Sequence, residues 1–299
     1  AKLKEMGYSP FGAAFERTGR LAEIIGSFEE GKAVRIAGRM VSRREMGKSV
    51  FAHLQDGTAR FQVYFKKDVI GEPAFEAFKY LDLGDHVGIE GELFVTKTGE
   101  KSVKALRWTL LGKALLPMPE KWHGLHDVEL RHRYRYLDLI ANPESRALFD
   151  KRIAMVRAIR AFLAERGFVE VETPMMQPMA GGAAATPFKT HYNALGVDMF
   201  LRIAPELYLK RLLVGGFDKV FELNRNFRNE GLDRSHNPEF TMLEIYEAFG
   251  DVRSMMRLVQ ELITHVATTV CGTLKIGEGA AAVDLTAPWR TVKIGRAHV

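Results

Sequence analysis

The fold of this chain follows from one stretch, VFELNRNFRNEGLDRSHNPEFTMLEIYEAF, which occupies residues 220–249. Its first part alternates polar and apolar residues, which is typical of a strand because successive side chains point to opposite faces. Turn-forming residues over 229–238 then reverse the chain into a second extended part. The stretch therefore predicts a β-hairpin. One face would carry the side chains of Glu222, Asn224, Asn226, Arg228, Phe240, Met242, Glu244 and Tyr246.

That face would gather two carboxylates, an arginine and two aromatic rings from two strands. Burying such charges without partners costs several kcal/mol by order of magnitude. The convergence therefore favours a site for an ionic ligand. The alternative is a surface hairpin whose charges are only solvated.

The segments FRNEG (227–231) and HNPEFTMLE (236–244) closely resemble motif 2 of the class II aminoacyl-tRNA synthetases, in its lysyl form. The aspartyl and asparaginyl relatives share the Phe-Arg-x-Glu opening. The resemblance extends over the chain from about residue 34. It implies an α+β protein with an N-terminal OB-fold barrel, followed by an incomplete class II catalytic domain built on an antiparallel sheet.

Composition fits this expectation without deciding it. The chain has 299 residues, of which 46% are hydrophobic and 27% charged, and this length suggests two domains. The net charge of +6 favours an anionic partner. The single cysteine, Cys271, cannot form a disulfide within the chain, so we expect a buried structural thiol and a cytoplasmic protein. No apolar run approaches the length of a membrane span.

The first third of the chain predicts a five-stranded barrel. Residues 15–30 have helical periodicity and predict a lead-in helix. A second helix over 73–81 separates the third and fourth strands, which is the order of an OB-fold. The strands are predicted over residues 34–41, 50–54, 60–65, 86–94 and 103–110.

Alternation within these strands indicates which face of the barrel is outward. It places Val50, Ala52, Leu54, Phe61, Val63 and Phe65 inward, and Arg35, Arg39, Arg43, Phe51, His53, Gln55, Gln62 and Tyr64 outward. Residues 31–113 contain fifteen Lys and Arg against ten Asp and Glu. Aromatic and basic side chains together favour unpaired nucleotides as the ligand.

The resemblance implies an anticodon-binding role for this face. Phe51 would stack on the central uridine of the anticodon, Gln62 would form a hydrogen bond to it, and Arg39 would lie beside them. The alternative for Phe51 is packing against the flanking helix.

The predicted domains are a helical lead-in (1–30), the barrel (31–116), a linker (117–144) and the catalytic domain (145–293). The last six residues, 294–299, have no counterpart in the family, and we interpret them as an unrelated tail on a C-terminally truncated chain. The linker includes RHRYRY (131–136), which could contact RNA or form a solvated or subunit-facing helix.

A helix over 145–166, ended by Gly167, leads to a strand over 168–173 that stops at Pro174. This pattern resembles motif 1, which implies a homodimer through that helix and strand. Plain core packing is the alternative.

The resemblance also implies where lysine is held. Gly182 and Glu206 would hold its α-ammonium group, and Glu244 and Tyr246 its ε-ammonium group. For Gly182, within AGGAAATPF, the alternative is a flexible linker, and Glu206 alone could be a helix cap. The family usually has a basic residue where this chain has Thr186.

For ATP, the resemblance implies that Phe240 stacks on adenine while Glu230, His236 and Asn237 contact the amino group or the phosphates. Arg228 would bridge the lysine carboxylate and the α-phosphate as the catalytic residue, binding both substrates. His236 alone could equally be a turn residue. The family's Mg²⁺ ligands belong to a later motif that this sequence lacks, so no metal ligand is predicted within it.

Three functions remain open on the sequence. The first is a ligase that activates lysine with ATP and transfers it to the 3′ end of tRNA(Lys). The second is a paralogue that modifies elongation factor P, which the barrel at 31–113 disfavours because those relatives lack it. The third is a non-catalytic nucleic-acid-binding module, which leaves Glu206, Arg228, Glu230 and Glu244 unexplained.

Overall fold

The computed structural model of the protein describes residues 1–116, 125–233 and 235–292. The chain divides into two compact units, Ala1–Asn142 and Pro143–Val299. The predicted tail over 294–299 and residues 117–124 of the predicted linker lie outside the described residues.

The first unit carries the predicted barrel, and the remainder of the predicted linker adds two helices to it. Its elements are α1 (Lys2–Glu5), α2 (Leu21–Gly26), β1 (Ala33–Met46), β2 (Ser49–Gln55), β3 (Arg60–Lys66), α3 (Lys67–Ile70), α4 (Glu72–Phe78), β4 (His86–Val95), β5 (Lys101–Gly112), α5 (Val128–Arg133) and α6 (Arg135–Ala141).

The five strands close into a barrel in the order β1-β2-β3-β5-β4. All pairs are antiparallel except β3 and β5, which run parallel. The helix predicted over 73–81 between the third and fourth strands corresponds to α4, and the short helix α3, which was not predicted, precedes it. Val50, Ala52, Leu54, Val63 and Phe65 are all buried in the barrel core, which confirms the predicted inward face of β2 and β3.

The lead-in helix is shorter than predicted. Helix α2 covers only Leu21–Gly26 of the periodic stretch over 15–30. Thr18 instead pairs with Arg35 of β1: the Thr18 N–H donates to the Arg35 carbonyl at 2.9 Å, and the Arg35 N–H donates to Thr18 Oγ1 at 3.1 Å. Pairing with the barrel therefore overrides helical periodicity at the start of this stretch.

The outward placement of Arg43 is wrong. A bulge between Met40 and Ser42 shifts the register of β1, so that Arg43 lies opposite the inward-facing Ala52. Its guanidinium donates to the carbonyl of Phe78, the last residue of α4, at 3.3 Å and to that of Leu81, just beyond the helix, at 2.8 Å. Arg43 thus stabilises a helix end, where unpaired carbonyls favour a cation.

The second unit contains the predicted hairpin. Its elements are α7 (Pro143–Glu165), β6 (Val169–Glu170), β7 (Met176–Gln177), β8 (Lys189–Tyr192), β9 (Val197–Leu201), α8 (Glu206–Val214), β10 (Lys219–Phe227), β11 (Glu239–Glu247), α9 (Val252–Cys271), β12 (Lys275–Ile276), a 3₁₀ helix (Gly279–Ala281) and β13 (Val283–Asp284).

Strands β10 and β11 are antiparallel, and β6 pairs in parallel with the free edge of β10. The strand predicted over 168–173 is therefore reduced to the two residues of β6. Separate sheets are formed by β7-β9-β8 and by β12-β13. The apolar face of the hairpin packs with α7 and α9 in a core of Phe162, Leu163, Phe168, Phe221, Leu258 and Leu262.

Helix α9 begins at Asp251, whose carboxylate accepts from the Ser254 N–H at 2.8 Å, and ends before Gly272 at φ 69°. Leu258 and Leu262 of this helix are buried, whereas Met256 and Val259 are exposed. Cys271 is also exposed, contrary to the prediction, since it is the last helical residue and lies beyond the core.

Within the described ranges, no helix combines the length and apolar character needed to span a membrane.

Candidate active site and candidate nucleic-acid interface

The register of the hairpin in the second unit brings the predicted residues onto one face. Glu222 lies directly opposite Glu244, and Asn226 lies directly opposite Phe240. Directly opposed residues in an antiparallel pair share a face. The structure therefore confirms that the polar side of β10 and the Phe240 side of β11 converge. We call this surface the hairpin face.

A buried ion pair that sequence analysis missed lies on this face. Arg202 and Glu222 are 0% and 1% exposed, and Arg202 Nη1 donates to Glu222 Oε1 at 2.7 Å. Thr173 Oγ1 donates to Glu222 Oε2 at 2.6 Å. Arg202 Nε also donates to the Arg225 carbonyl at 2.9 Å. Glu222 is therefore already paired with Arg202. Of the two opposed carboxylates, Glu244 is the one that can still bind a ligand.

Glu244 accepts a hydrogen bond from the Tyr246 hydroxyl at 3.0 Å. Burial raises the pKa of the Glu244 carboxyl, and the nearby negative charges of Glu206 and Glu222 also raise it. The Tyr246 hydrogen bond and the positive charge of Arg202 act in the opposite direction without reversing the shift. Burial, followed by the hydrogen bond to Glu244, raises the pKa of Tyr246. The group is therefore a partly buried, electronegative site suited to a cation.

Gly182 and Glu206 are in close contact, as expected for two parts of one site. Gly182 has φ +87°, a left-handed conformation, and a Cβ added there would lie 3.0 Å from the Glu206 Cβ. Both the backbone angle and the space therefore require glycine. Glu206 is the first residue of α8 and pairs with Lys210 at 2.5 Å.

Arg228 and Phe240 form the other end of the hairpin face. The Arg228 guanidinium carbon lies 5.2 Å from the centroid of the Phe240 ring, a cation–π contact. Arg228 Nε is buried and has no hydrogen-bond partner. The site thus holds a cation with unused donor capacity, which suits an anionic group.

Glu230 is joined to the loop that carries Thr186. The Thr186 N–H donates to Glu230 Oε1 at 3.2 Å, and the Thr186 carbonyl accepts from the Asn229 N–H at 2.8 Å. Both contacts use the Thr186 backbone, so they do not depend on which side chain this position carries.

His236 and Asn237 are exposed in the loop between β10 and β11. His236 Nδ1 lies 2.7 Å from Asp233 Oδ2, and its N–H donates to Asp233 Oδ1 at 2.8 Å. These contacts with His236, above all the side-chain hydrogen bond, lower the pKa of Asp233. The turn role that the sequence left open for His236 is therefore present, while Asn237 is exposed to solvent.

No metal-binding centre is present in the part of the chain that the structure describes. There, no three His, Cys, Asp or Glu side chains are grouped so as to hold a metal ion. The carboxylates of Glu222 and Glu244 are instead engaged by Arg202 and Tyr246, and that of the neighbouring Glu206 by Lys210.

The outer face of the barrel in the first unit is aromatic and basic. Phe51 is partly exposed, and its ring centroid lies 4.8 Å from that of Tyr64. The Tyr64 ring is in turn 5.8 Å from Phe94. We call Phe51, Tyr64 and Phe94 the aromatic row. Arg44, rather than the predicted Arg43, lies opposite Phe51 on this face because of the β1 bulge.

Gln62 lies on the predicted outer side, directly opposite His53, but its side chain is covered. Gln62 is buried, at 8% exposure, and its Oε1 accepts from the Ser102 hydroxyl at 2.7 Å. It is buried because β5 pairs with β3 at this position and places Ser102 beside it. Gln62 nevertheless lines an open groove of about 640 Å³, together with Ile25, His53, Arg60, Phe61, Glu100 and Lys101.

Arg39 is partly buried at the edge of the barrel face. Its Nη1 donates to the Gly84 carbonyl at 2.9 Å. Burial lowers the pKa of its guanidinium. One guanidinium nitrogen of Arg39 is therefore bound to the barrel backbone. The other N–H groups of the guanidinium can donate to a ligand.

The two candidate sites lie on separate units, an aromatic and basic face on a barrel and a charged hairpin face on the second unit. Two family models match the chain in the same arrangement. The description "OB-fold nucleic acid binding domain" matches residues 34–111, and "tRNA synthetases class II (D, K and N)" matches residues 127–298. The chain belongs to this class II tRNA synthetase family.

Among curated relatives, the chain is similar to proteins named lysine–tRNA ligase. That of Pelotomaculum thermopropionicum is 54% identical over 97% of this chain and 58% of the relative. That of Carboxydothermus hydrogenoformans is 52% identical over 99% of this chain and 61% of the relative. The chain therefore spans about three fifths of the length of the curated relatives it matches.

Proposed function

We propose that the whole protein is a lysine–tRNA ligase, which activates L-lysine with ATP to lysyl-adenylate and transfers the lysyl group to the 3′ end of tRNA(Lys). The observation that carries this proposal is the hairpin face. One end of this face carries the partly buried carboxylate of Glu244, which suits a cation, and the other carries Arg228, whose unpartnered Nε suits an anion. The named lysine–tRNA ligases that match nearly the whole chain support the same assignment.

The dimensions of the hairpin face suit an amino acid joined to a nucleotide. Glu244 lies opposite Glu222, and Phe240 lies opposite Asn226, four residues further along β10. At about 3.4 Å per residue this is roughly 14 Å. In the proposed complex the ε-ammonium group of lysine lies at Glu244 and Tyr246, and adenine stacks on Phe240.

The carboxylates of Glu244 and Glu206 account for the selection of lysine over other amino acids. Glu244 binds the ε-ammonium group, while Glu206, backed by Gly182, binds the α-ammonium group. A neutral side chain of similar size would leave Glu244 partly buried without a counter-charge, which is unfavourable. Arg202 supports this arrangement by pairing with Glu222, which offsets part of the repulsion between the two directly opposed carboxylates.

Adenylate formation needs positioning and charge neutralisation, because the lysine carboxylate is itself the nucleophile. In the proposed mechanism Arg228 bridges this carboxylate and the α-phosphate and stabilises the charge that develops as pyrophosphate leaves. Glu230, His236 and Asn237 contact the adenine amino group or the phosphates from the loop. ATP is a substrate here. The described residues do not form a site that fits Mg²⁺, so no step is assigned to a metal.

The barrel is proposed to bind the anticodon of tRNA(Lys), with Phe51 stacking on the central base and Gln62 donating to it from the groove through its free amide nitrogen. Arg39 lies at the edge of the same face. We further propose a homodimer through α7 and β6 and a cytoplasmic location, as the family resemblance implies.

The proposal is tested in a chain completed to the length of its relatives, by measuring ATP–pyrophosphate exchange with each amino acid in turn and aminoacylation of tRNA(Lys). We expect exchange with lysine alone and transfer to tRNA(Lys). Exchange with another amino acid but not lysine would reject the assignment. Binding of tRNA without exchange would favour a non-catalytic RNA-binding module.

A further inference from the structure

The aromatic row of the barrel is longer than one stacked base requires. Its three rings follow one another across the outer face, with centroid separations of 4.8 Å and 5.8 Å. Neighbouring rings are tilted by 36° and 49°. The row therefore curves, and its two ends offer ring faces in different planes.

The barrel topology produces this arrangement. Phe51 of β2 lies directly opposite Tyr64 of β3. Strand β5 separates β3 from β4, and the residue it places opposite Phe94 is the small Ser102. The short serine side chain leaves space for the Tyr64 and Phe94 rings to meet across β5. The third ring therefore joins the row although its strand does not pair with β3.

Cations lie beside two of the three rings. Arg44 lies opposite Phe51, while Lys104 lies beside Tyr64 across the β3–β5 pair. Arg60 and Lys101 line the groove next to the row. Rings flanked by basic side chains are the usual platform for unpaired nucleotides, because bases stack on the rings while phosphates contact the cations.

We propose that Phe94 is a second base-stacking residue, which takes the unpaired base next to the one proposed for Phe51. This inference rests on the proposed RNA-binding function of the barrel. Tyr64 lies between the two and acts as a spacer, because its hydroxyl is 2.9 Å from Ser49 Oγ and both of its flanks contact a ring. The tilt between the rings separates the two bases, which are held splayed and not stacked on each other.

The test uses the 299-residue chain and a short RNA hairpin with an all-uridine loop, in which 2-aminopurine replaces one loop base at a time. Stacking on a protein ring quenches 2-aminopurine fluorescence. We expect quenching at two neighbouring loop positions. Phe51→Leu should restore fluorescence at one position and Phe94→Leu at the other, and each should weaken binding by roughly 5- to 150-fold.

Two variants serve as controls. Phe94→Tyr keeps the ring and should preserve quenching and affinity. Tyr80→Leu removes a half-exposed ring outside the row and should leave both unchanged. Quenching at a single loop position in the wild-type chain, with wild-type affinity for Phe94→Leu, would overturn the second stacking site alone. Failure of the wild-type chain to bind any of the hairpins would overturn the proposed RNA-binding function.

Discussion

The outer face of the barrel and the hairpin face both carry charge, but they hold it in opposite ways. On the barrel, Arg60 is exposed and Lys101 lies beside an open groove. On the hairpin face, Arg202 and Glu222 are almost completely buried and hydrogen-bonded to each other. The first face keeps its cations in water, and the second fixes its charges before any ligand arrives.

This difference suits two kinds of ligand. A polyanion such as RNA gains affinity when loosely held cations replace its counterions, and such contacts are weak individually and sensitive to salt. A single small ion needs few contacts in a defined place, and charges in a low-dielectric environment give stronger discrimination. We therefore expect substitutions on the hairpin face to have large, salt-insensitive effects, and substitutions on the barrel to have smaller effects.

The largest expected effect is on stability and comes from Arg202→Met. Removing the arginine leaves Glu222 buried without its partner, which typically costs about 3–5 kcal/mol. The free energy of unfolding should fall by this amount in urea denaturation, with loss of hydrogen-exchange protection in β10. Replacing the whole pair, as Arg202→Met with Glu222→Leu, should recover most of the loss.

The surface pair of Arg160 and Glu170, joined at 2.9 Å and half exposed, is the matched control for this effect. Arg160→Met should change the free energy of unfolding by no more than about 1 kcal/mol. Similar losses for the buried and the exposed pair would remove the contrast between the two faces.

The next largest effect is catalytic and comes from Arg228→Ala in a completed enzyme. Loss of one preorganised charge contact to the transition state should lower lysine-dependent pyrophosphate exchange by about two orders of magnitude or more. Arg225→Ala is the control, because Arg225 lies on the same strand with its side chain half exposed and 3.5 Å from Glu239. Near-normal exchange in the Arg228 variant would show that the anionic end of the site lies elsewhere.

A smaller effect is expected from Glu244→Gln, which keeps the shape and removes the charge. Lysine activation should fall by roughly 10- to 100-fold, as for loss of a charged hydrogen-bond partner, while the KM for ATP changes little. Glu239→Gln on the same strand, where the carboxylate is exposed, should change neither parameter. Equal losses for lysine and ATP would indicate a structural role for Glu244.

The pKa of Glu244 adds a pH test. Lysine binding requires the ionised carboxylate, and burial raises the pKa of Glu244. As pH falls, the KM for lysine should therefore begin to rise at a higher pH than an ordinary glutamate would produce. A KM for lysine that stays constant until the pH falls well below the usual glutamate range would contradict this assignment.

Periodicity alone was sufficient for much of the hairpin face. The polar side of β10 alternates regularly, and turn residues follow it, so Glu222, Glu244 and Phe240 could be placed together from sequence. Arg202 could not, because its partner lies twenty residues away and charged side chains are by default expected at the surface. One feature of the sequence could have indicated its burial. Arg202 lies directly between an apolar strand and a helix, and such a connection needs no turn that is exposed to solvent.

On the barrel, alternation predicted the inward residues of β2 and β3 and the outward position of Phe51, but it could not predict a bulge or a side chain covered by a distant strand. The bulge after Met40 exchanges the roles of Arg43 and Arg44. Gln62 is buried by Ser102, which belongs to a strand forty residues further along the chain. Neither effect leaves a local trace in the sequence, since both arise from tertiary pairing.

The smallest expected effect tests the barrel side of the comparison and comes from Phe51→Ala in the 299-residue chain. Removing one stacking ring should weaken binding of a lysine anticodon stem-loop by about 1–3 kcal/mol. Because no charge is removed, the slope of affinity against salt concentration should stay the same. Arg60→Ala should do the reverse, with a modest loss of affinity and a shallower slope. Phe11→Ala, at a ring that is 84% exposed and outside the row, should change neither quantity. Unchanged binding in the Phe51 variant would mean that RNA contacts another side of the barrel, and a changed slope would mean that Phe51 acts by positioning nearby cations.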